Sequence, residues 1–225
     1  MLTVIFDIET VGHEFDSLDS MSQEYFLRFA ETEPAKEEAR NSLSFFPLTA
    51  QIVAIGLLEV ETDKGFVFYQ NCGSLFPEKL MEGDTTFQSG SEKEILKLFW
   101  EQLKKYNCFV TFNGRVFDCP FLMLRSAINQ IRPTRNLMPY RYQFREHVDL
   151  ADQLSFYDAL RRKFSLHMWC QAFGIPSPKE GGVTGLMVKD MFKQGKCLDI
   201  ARYCLCDVKA TKALYLLWDQ YIKFL

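Results

Sequence analysis

Apolar positions in this chain first alternate with polar ones in short runs and later recur at helical spacing. Val4-Ile5-Phe6-Asp7-Ile8-Glu9-Thr10 is a strand-forming run interrupted by two acids. Side chains two apart on a strand share a face, so Asp7 and Glu9 stand side by side. About forty residues without strand character follow. Within them, Leu18, Met21, Tyr25 and Phe29 predict a helix over 16–30, capped by Asp16 or Ser17. A second, charged helix is expected over 31–40, with Pro34 near its start. The runs 51–60 and 65–69 flank a short charged turn and read as a hairpin, which with the first strand makes a three-stranded antiparallel meander. Ser91 and Glu94 form a capping-box pattern before an amphipathic helix reaching Tyr106. A fourth strand is expected over 109–112, a helix over 120–129 and a short fifth strand over 147–150. Helices over 164–173 and 186–194 should stop at Gly174 and Gly195, and a last helix runs from about 198 onward. The glycine-rich run 179–185 reads as a flexible connector or as a loop admitting a phosphate.

Composition narrows the class. The chain has 225 residues, 48% of them apolar and 15% aromatic, with 21 Phe, which excludes a disordered chain and implies a large core. An α/β fold of this length is expected to be one domain over 1–225, with a helical insertion at about 16–47. Seven cysteines without C-x-x-C pairs argue against a disulfide framework and fit a reducing cytosol. Cys204 and Cys206 lack four-ligand zinc spacing. No signal-type segment opens the chain and no apolar run approaches membrane-spanning length, so a soluble, cytoplasmic protein without a membrane partner is expected. The net charge of −3 opposes a polyanion as a whole, although metal-using enzymes concentrate acids at one place. Arg132, Arg135, Arg141 and Arg145, and separately Arg161-Arg162-Lys163, are local basic clusters that serve either phosphate contacts or solvated faces.

Three stretches bear chemistry. Asp7 and Glu9 fit either a metal site or a strand end where both acids reach water. Asp118, in Asn113-Gly114-Arg115-Val116-Phe117-Asp118-Cys119-Pro120, fits a helix N-cap, or a ligand position at the carboxyl end of a strand. Tyr203 and Asp207 are i and i+4 on the last helix, amid residues that suggest burial. Phe45 and Phe46 read as core, or, if exposed, as rings on which bases stack.

Taken together, Phe6-Asp7-Ile8-Glu9-Thr10-Val11, Gln51-Ile52-Val53-Ala54-Ile55-Gly56, the Asn113 to Pro120 stretch and Tyr203-Cys204-Leu205-Cys206-Asp207 resemble the DEDD superfamily of 3′–5′ exonucleases. The resemblance is to predicted exonucleases related to the proofreading domain of B-family DNA polymerases, and it covers nearly the whole chain. A histidine-bearing branch would place histidine where Arg202 stands, so the Tyr-bearing (DEDDy) branch is indicated. The resemblance implies a ribonuclease H-like fold with a five-stranded mixed sheet flanked by helices. It implies two divalent ions, Mg²⁺ or Mn²⁺, with Asp7 bridging both, Glu9 and Asp207 completing the water-binding site and Asp118 serving the second ion. Tyr203 would position the water, since a phenol of pKa about 10 stays protonated at neutral pH. Thr10, Asn113 and Phe117 are the implied substrate-binding residues, Asn113 and Phe117 being open also to loop and core roles. The implied activity is metal-dependent hydrolysis at the 3′ end of nucleic acid, single-stranded DNA being favoured, with RNA trimming or a catalytically silent nucleic-acid-binding module as alternatives. No polymerase domain is readable in these residues, so a replication or repair partner would act in trans.

Overall fold

In a computed structural model that describes residues 2–73, 78–178 and 185–223, the chain forms a mixed sheet with helices on both faces. Its strands are β1 (Thr3–Gly12), β2 (Ala50–Glu59), β3 (Gly65–Gln70), β4 (Lys79–Glu82), β5 (Thr85–Gly90), β6 (Cys108–Thr111) and β7 (His147–Asp149). The helices are α1 (Ser20–Leu27), α2 (Glu33–Asn41), α3 (Glu92–Leu103), α4 (Asp118–Ile128), α5 (Leu150–Leu154), α6 (Leu166–Phe173), α7 (Val188–Lys193) and α8 (Cys197–Tyr221). A 3₁₀ turn, Ser42–Phe45, leads back toward the sheet.

The strand order is β4-β5-β3-β2-β1-β6-β7. The antiparallel meander β1-β2-β3 is present, and β6 and β7 add in parallel beyond β1. The expected five strands are corrected to seven, because β4 and β5 form a further hairpin beside β3. Their inward positions on β5 are Thr85, Phe87 and Ser89, so hydroxyls stand where an apolar alternation would have announced the strand. The capping box at Ser91 and Glu94 is present. Gly174 ends α6 in the left-handed conformation, at φ 68°. The segment between β1 and β2 departs from its reading: Asp19, not Asp16 or Ser17, caps α1, and Met21, Tyr25 and Phe29 stay exposed. Phe45 and Phe46 are corrected likewise from core to surface, at 57% and 45% exposed. Most of the run 179–185 lies outside the described residues.

Period-two alternation decides the two cores. Val4, Phe6 and Ile8 of β1 face α3 and α4, burying Ile95, Phe99, Trp100, Phe121 and Leu122. Ile5 and Val11, out of phase by one, face the layer built on α8. Asp7 and Glu9 are in phase with Ile5, which places both acids on the α8 side. Cys72 and Cys197 stand as a disulfide pair with Cα atoms 6.0 Å apart; a pairing across 125 residues has no spacing signature. Five described cysteines are free. Among the described residues, no helix is long and apolar enough to cross a membrane.

Candidate active site

β1 is paired on both sides over its first half only. β6 accompanies it as far as Ile5, opposite Val110, and beyond that the N–H groups on this side need another acceptor. The Asp118 carboxylate supplies one, accepting the Ile8 N–H at 3.0 Å. The chain reaches this position by a tight turn after β6. Asn113 takes a left-handed conformation, φ 62°, and a Cβ on Gly114 would lie 2.4 Å from Thr111 Oγ1, so the turn admits only glycine there. Asp149, at the end of β7, accepts the N–H groups of Asn113 and Arg115, both at 2.8 Å, and that of Ala151 at 3.0 Å. The N-cap position of α4 belongs to Phe117, without a side-chain cap, and Asp118 is the first helical residue. The capping role for Asp118 is thereby corrected: it lies inside the helix as its first residue, and its carboxylate accepts the Ile8 N–H of β1.

α8 crosses the opposite face of β1 and β2. Gly56 pairs with Asp7, and a Cβ on it would stand 3.0 Å from Val208 Cγ2 and 3.1 Å from Cys204 Sγ. The absent side chain lets the helix settle close, with the Cys204 thiol donating to the Asp7 carbonyl at 3.5 Å. Tyr203 and Asp207, one turn apart, are thus delivered half-buried to the acids of β1. Asp7, Glu9 and Asp207 each offer a carboxylate oxygen, and these oxygens lie within 4.8 Å of one another. Asp118 stands outside that group of three, on the strand edge.

Burial and mutual repulsion set the electrostatics. The Asp7 carboxyl is held well above the usual carboxylate range by burial and then by the negative charges of Asp118, Asp207 and Glu9. Glu9 is raised by burial, Asp207 and Asp118. Asp118 is pushed up to about 7, chiefly by burial, against the lowering effect of its own backbone N–H and then that of Ile8. The Tyr203 phenol is raised by burial first, then by Asp207 and Glu9, and donates its proton to Asp207. The charges that raise Asp7 are all negative, so a cation bound among these acids would stabilise their anions. Carboxylate oxygens alone, converging within one ion's reach, fit a hard divalent metal rather than zinc or copper.

Glu9 and Thr10 open on a cleft of about 670 Å³ that Phe45, Phe117, Arg40 and Lys189 also line. Thr10 commits its hydroxyl to the Ser44 carbonyl at 2.7 Å. Phe117 forms a wall of the cleft and packs on Phe121, ring centroids 5.3 Å apart. Asn113 is not in this cleft; it borders two neighbouring grooves. In the basic clusters, Arg135 binds the carbonyls of Tyr106 and Asn107, and Arg141 binds Asp152 and Asp158, so both have structural partners. Arg162 and Lys163 line the groove of about 260 Å³ beside Asn113. Sequence reasoning missed Gly56, Asp149, Arg40 and Lys189. Gly56 stood within a quoted stretch but its need is set by the helix packed over it, and the other three have no local pattern.

The sequence model of a family described as a predicted 3′–5′ exonuclease related to the exonuclease domain of PolB matches residues 44–223. That match includes Asp118, Tyr203 and Asp207 and begins after Asp7 and Glu9. No curated protein matches the chain. Among solved structures, the family B DNA polymerase from the hyperthermophilic archaeon Pyrobaculum calidifontis aligns with 96% of this chain at a TM-score of 0.59 and 16% identity, a likeness of fold. The chain spans 24% of that polymerase's length.

Proposed function

We propose that this chain, which belongs to the family of predicted 3′–5′ exonucleases related to the exonuclease domain of PolB, is itself a metal-dependent 3′–5′ exonuclease of the Tyr-bearing kind. The observation that carries the reading is the convergence of Asp7, Glu9 and Asp207 from opposite ends of the chain onto one half-buried point. A purely structural role would not gather acids so closely that burial and the charge of Asp207 raise both Asp7 and Glu9.

In this reading Asp7, Glu9 and Asp207 would hold one divalent ion, and Asp118, with Asp7, would serve a second. Mg²⁺ or Mn²⁺ so bound would lower the pKa of a water and neutralise charge on the scissile phosphate and the departing 3′ oxygen. Tyr203 donates to Asp207 and, with its raised pKa, remains a phenol; its part is to orient the attacking water, not to remove its proton. Phe117 and Thr10 shape the cleft beside Glu9 for the terminal nucleotide, and Asn113 shapes the adjoining wall. Single-stranded DNA is the substrate favoured.

The test is degradation of a 5′-labelled oligonucleotide. Wild type should shorten it stepwise from the 3′ end with Mg²⁺ or Mn²⁺ and not with EDTA. Asp7→Asn and Asp207→Asn should lower the rate by about 100- to 1,000-fold, the scale of losing a main electrostatic element of a transition state. Undiminished activity in both variants would show the assignment to be wrong, and strand binding without cleavage under any metal would favour a silent binding module. DNA and RNA of one sequence, run in parallel, decide the sugar.

A further inference from the structure

The Cys72–Cys197 bond ties the sheet that bears Glu9 to the helix that bears Asp207. Cys72 follows the end of β3, where Tyr69 pairs with Ala54 of β2, which in turn pairs with Glu9. Cys197 is the first residue of α8, about 9 Å along the helix from Tyr203 and about 15 Å from Asp207. Lys196 stands at the N-cap of this helix and makes no side-chain cap, so the N–H groups of the first turn gain nothing from it. Arg202 pairs with Glu82 of β4, but an exposed ion pair of this kind contributes little. The turn before α8 also lies against Cys72. Gly195 there is left-handed, φ 74°, and a Cβ on it would stand 3.9 Å from the Cys72 carbonyl. Ahead of that turn, α7 places Lys189 and Asp190 on the cleft of Glu9. One covalent bond thus fixes the junction between a wall of the cleft and the helix of Tyr203 and Asp207.

The fold does not depend on this bond for its core. Leu198, Ile200, Ala201 and Cys204 are buried in one cluster with Val53, Val67 and Tyr69, which holds α8 to the sheet whether or not the sulfurs are joined. The other five cysteines are thiols, four of them buried, so the chain is not a disulfide scaffold. The two joined sulfurs differ in access. Cys197 is 1% exposed, whereas Cys72 is half-buried and keeps part of its surface in water. A small thiolate therefore reaches the bond from the Cys72 side.

We propose that Cys72 and Cys197 form a reversible redox switch on the acid-lined site, opened by low-molecular-weight thiols and closed by the corresponding disulfides. A small thiolate attacks Cys72 Sγ, the bond to Cys197 breaks, and Cys197 leaves as a thiolate that takes up a proton. A second small thiolate attacks the small molecule's sulfur in the mixed disulfide, which frees Cys72 as a thiol and releases the small-molecule disulfide. Two electrons have then passed from the two small thiols to the protein, and the reverse exchange restores the bond. Opened, the uncapped start of α8 and the turn at Gly195 fray, and Tyr203 and the α7 wall lose their fixed relation to Glu9. Closed, they are held in place before substrate arrives. The effect on cleavage rests on the exonuclease reading; the exchange and its effect on α8 do not.

Full-length wild type is equilibrated under native conditions with reduced glutathione and then with glutathione disulfide. Alkylation with mass spectrometry, thermal melting, hydrogen exchange and cleavage of a 5′-labelled strand with Mg²⁺ follow each step. Reduced glutathione should raise the alkylated thiols from five to seven. Tm should fall by roughly 4–16 °C. Exchange at the amides of 200–203 should quicken about tenfold, and cleavage should slow about tenfold. Glutathione disulfide should reverse all four changes. The double variant Cys72→Ser, Cys197→Ser should stay in the opened state in both buffers, while Cys206→Ser, which removes the exposed thiol and keeps the pair, should respond as wild type. A bond that resists native glutathione is a fixed staple and overturns the switch. Seven thiols in both buffers, an opened form that exchanges like the closed one, or a cleaving enzyme whose rate ignores the bond overturns it too, as does a response lost in Cys206→Ser. Absence of cleavage in a wild type whose exchange still responds overturns the nuclease reading alone.

Discussion

Asp118 accepts a hydrogen bond that favours its anion, and burial nevertheless outweighs it, lifting the carboxyl to about 7. Between the ordinary carboxylate value of about 4 and that raised value the folded chain holds a proton that the unfolded chain releases. Its stabilising effect is complete below about pH 4 and is lost as pH rises through about 7; Asp7 and Glu9, also raised, act in the same direction. Metal-free protein should therefore lose Tm as pH climbs across this window. Asp118→Asn, which keeps an oxygen for the Ile8 N–H, should flatten the slope; an unaltered slope in the variant would contradict it. Tyr203 is a separate case. Because its phenol stays protonated, Tyr203→Phe should lower kcat by roughly ten- to a hundredfold through a misplaced water, with KM little changed and no upper pH limb lost. These residues were legible in the sequence as types and spacings. Their pKa values were not, since burial and the distance between β1, α4 and α8 are tertiary quantities.

At the scale of elements, the site depends on how closely α8 lies on β2 and how firmly the turn after β6 is held. Gly56→Ala would press a methyl against Val208 and Cys204, and should destabilise by about 1–3 kcal/mol while reducing activity further than that loss accounts for, as α8 carries Asp207 away from Asp7. Urea unfolding beside a kcat measurement separates the two effects. Asp149→Ala removes the acceptor of three N–H groups and should cost about 2–4 kcal/mol, loosening the loop that delivers Asp118. Local signals announced some elements faithfully. The Ser91 box is closed within four residues, and the β1–β2–β3 meander follows from alternation and a short turn. The β4–β5 hairpin escaped because Thr85 and Ser89 occupy inward positions, and Phe45 and Phe46 were misread because nothing nearby in sequence shows that Leu43 alone fills the core there.

For the whole molecule, a net charge of −3 conceals a concentrated anionic point, and metal binding should be the strongest single stabilising event the site offers. Titration in the presence of nucleotide should find two divalent ions per chain; Asp7→Asn should largely abolish both, and Glu9→Gln should chiefly weaken one. A stoichiometry unaltered by Asp7→Asn would rule out its bridging role. The sequence by itself determined the strand that bears Asp7 and Glu9 on one face, the helix that stacks Tyr203 over Asp207, and the family these motifs resemble, because periods of two and 3.6 are properties of a few consecutive residues. Tertiary structure alone decided that Asp118 would bond to Ile8 and not cap its helix, that Cys72 would meet Cys197, and that two phenylalanines would stand in water beside the acids. Each of these depends on which surfaces of distant segments are covered, and no local pattern encodes what will cover them.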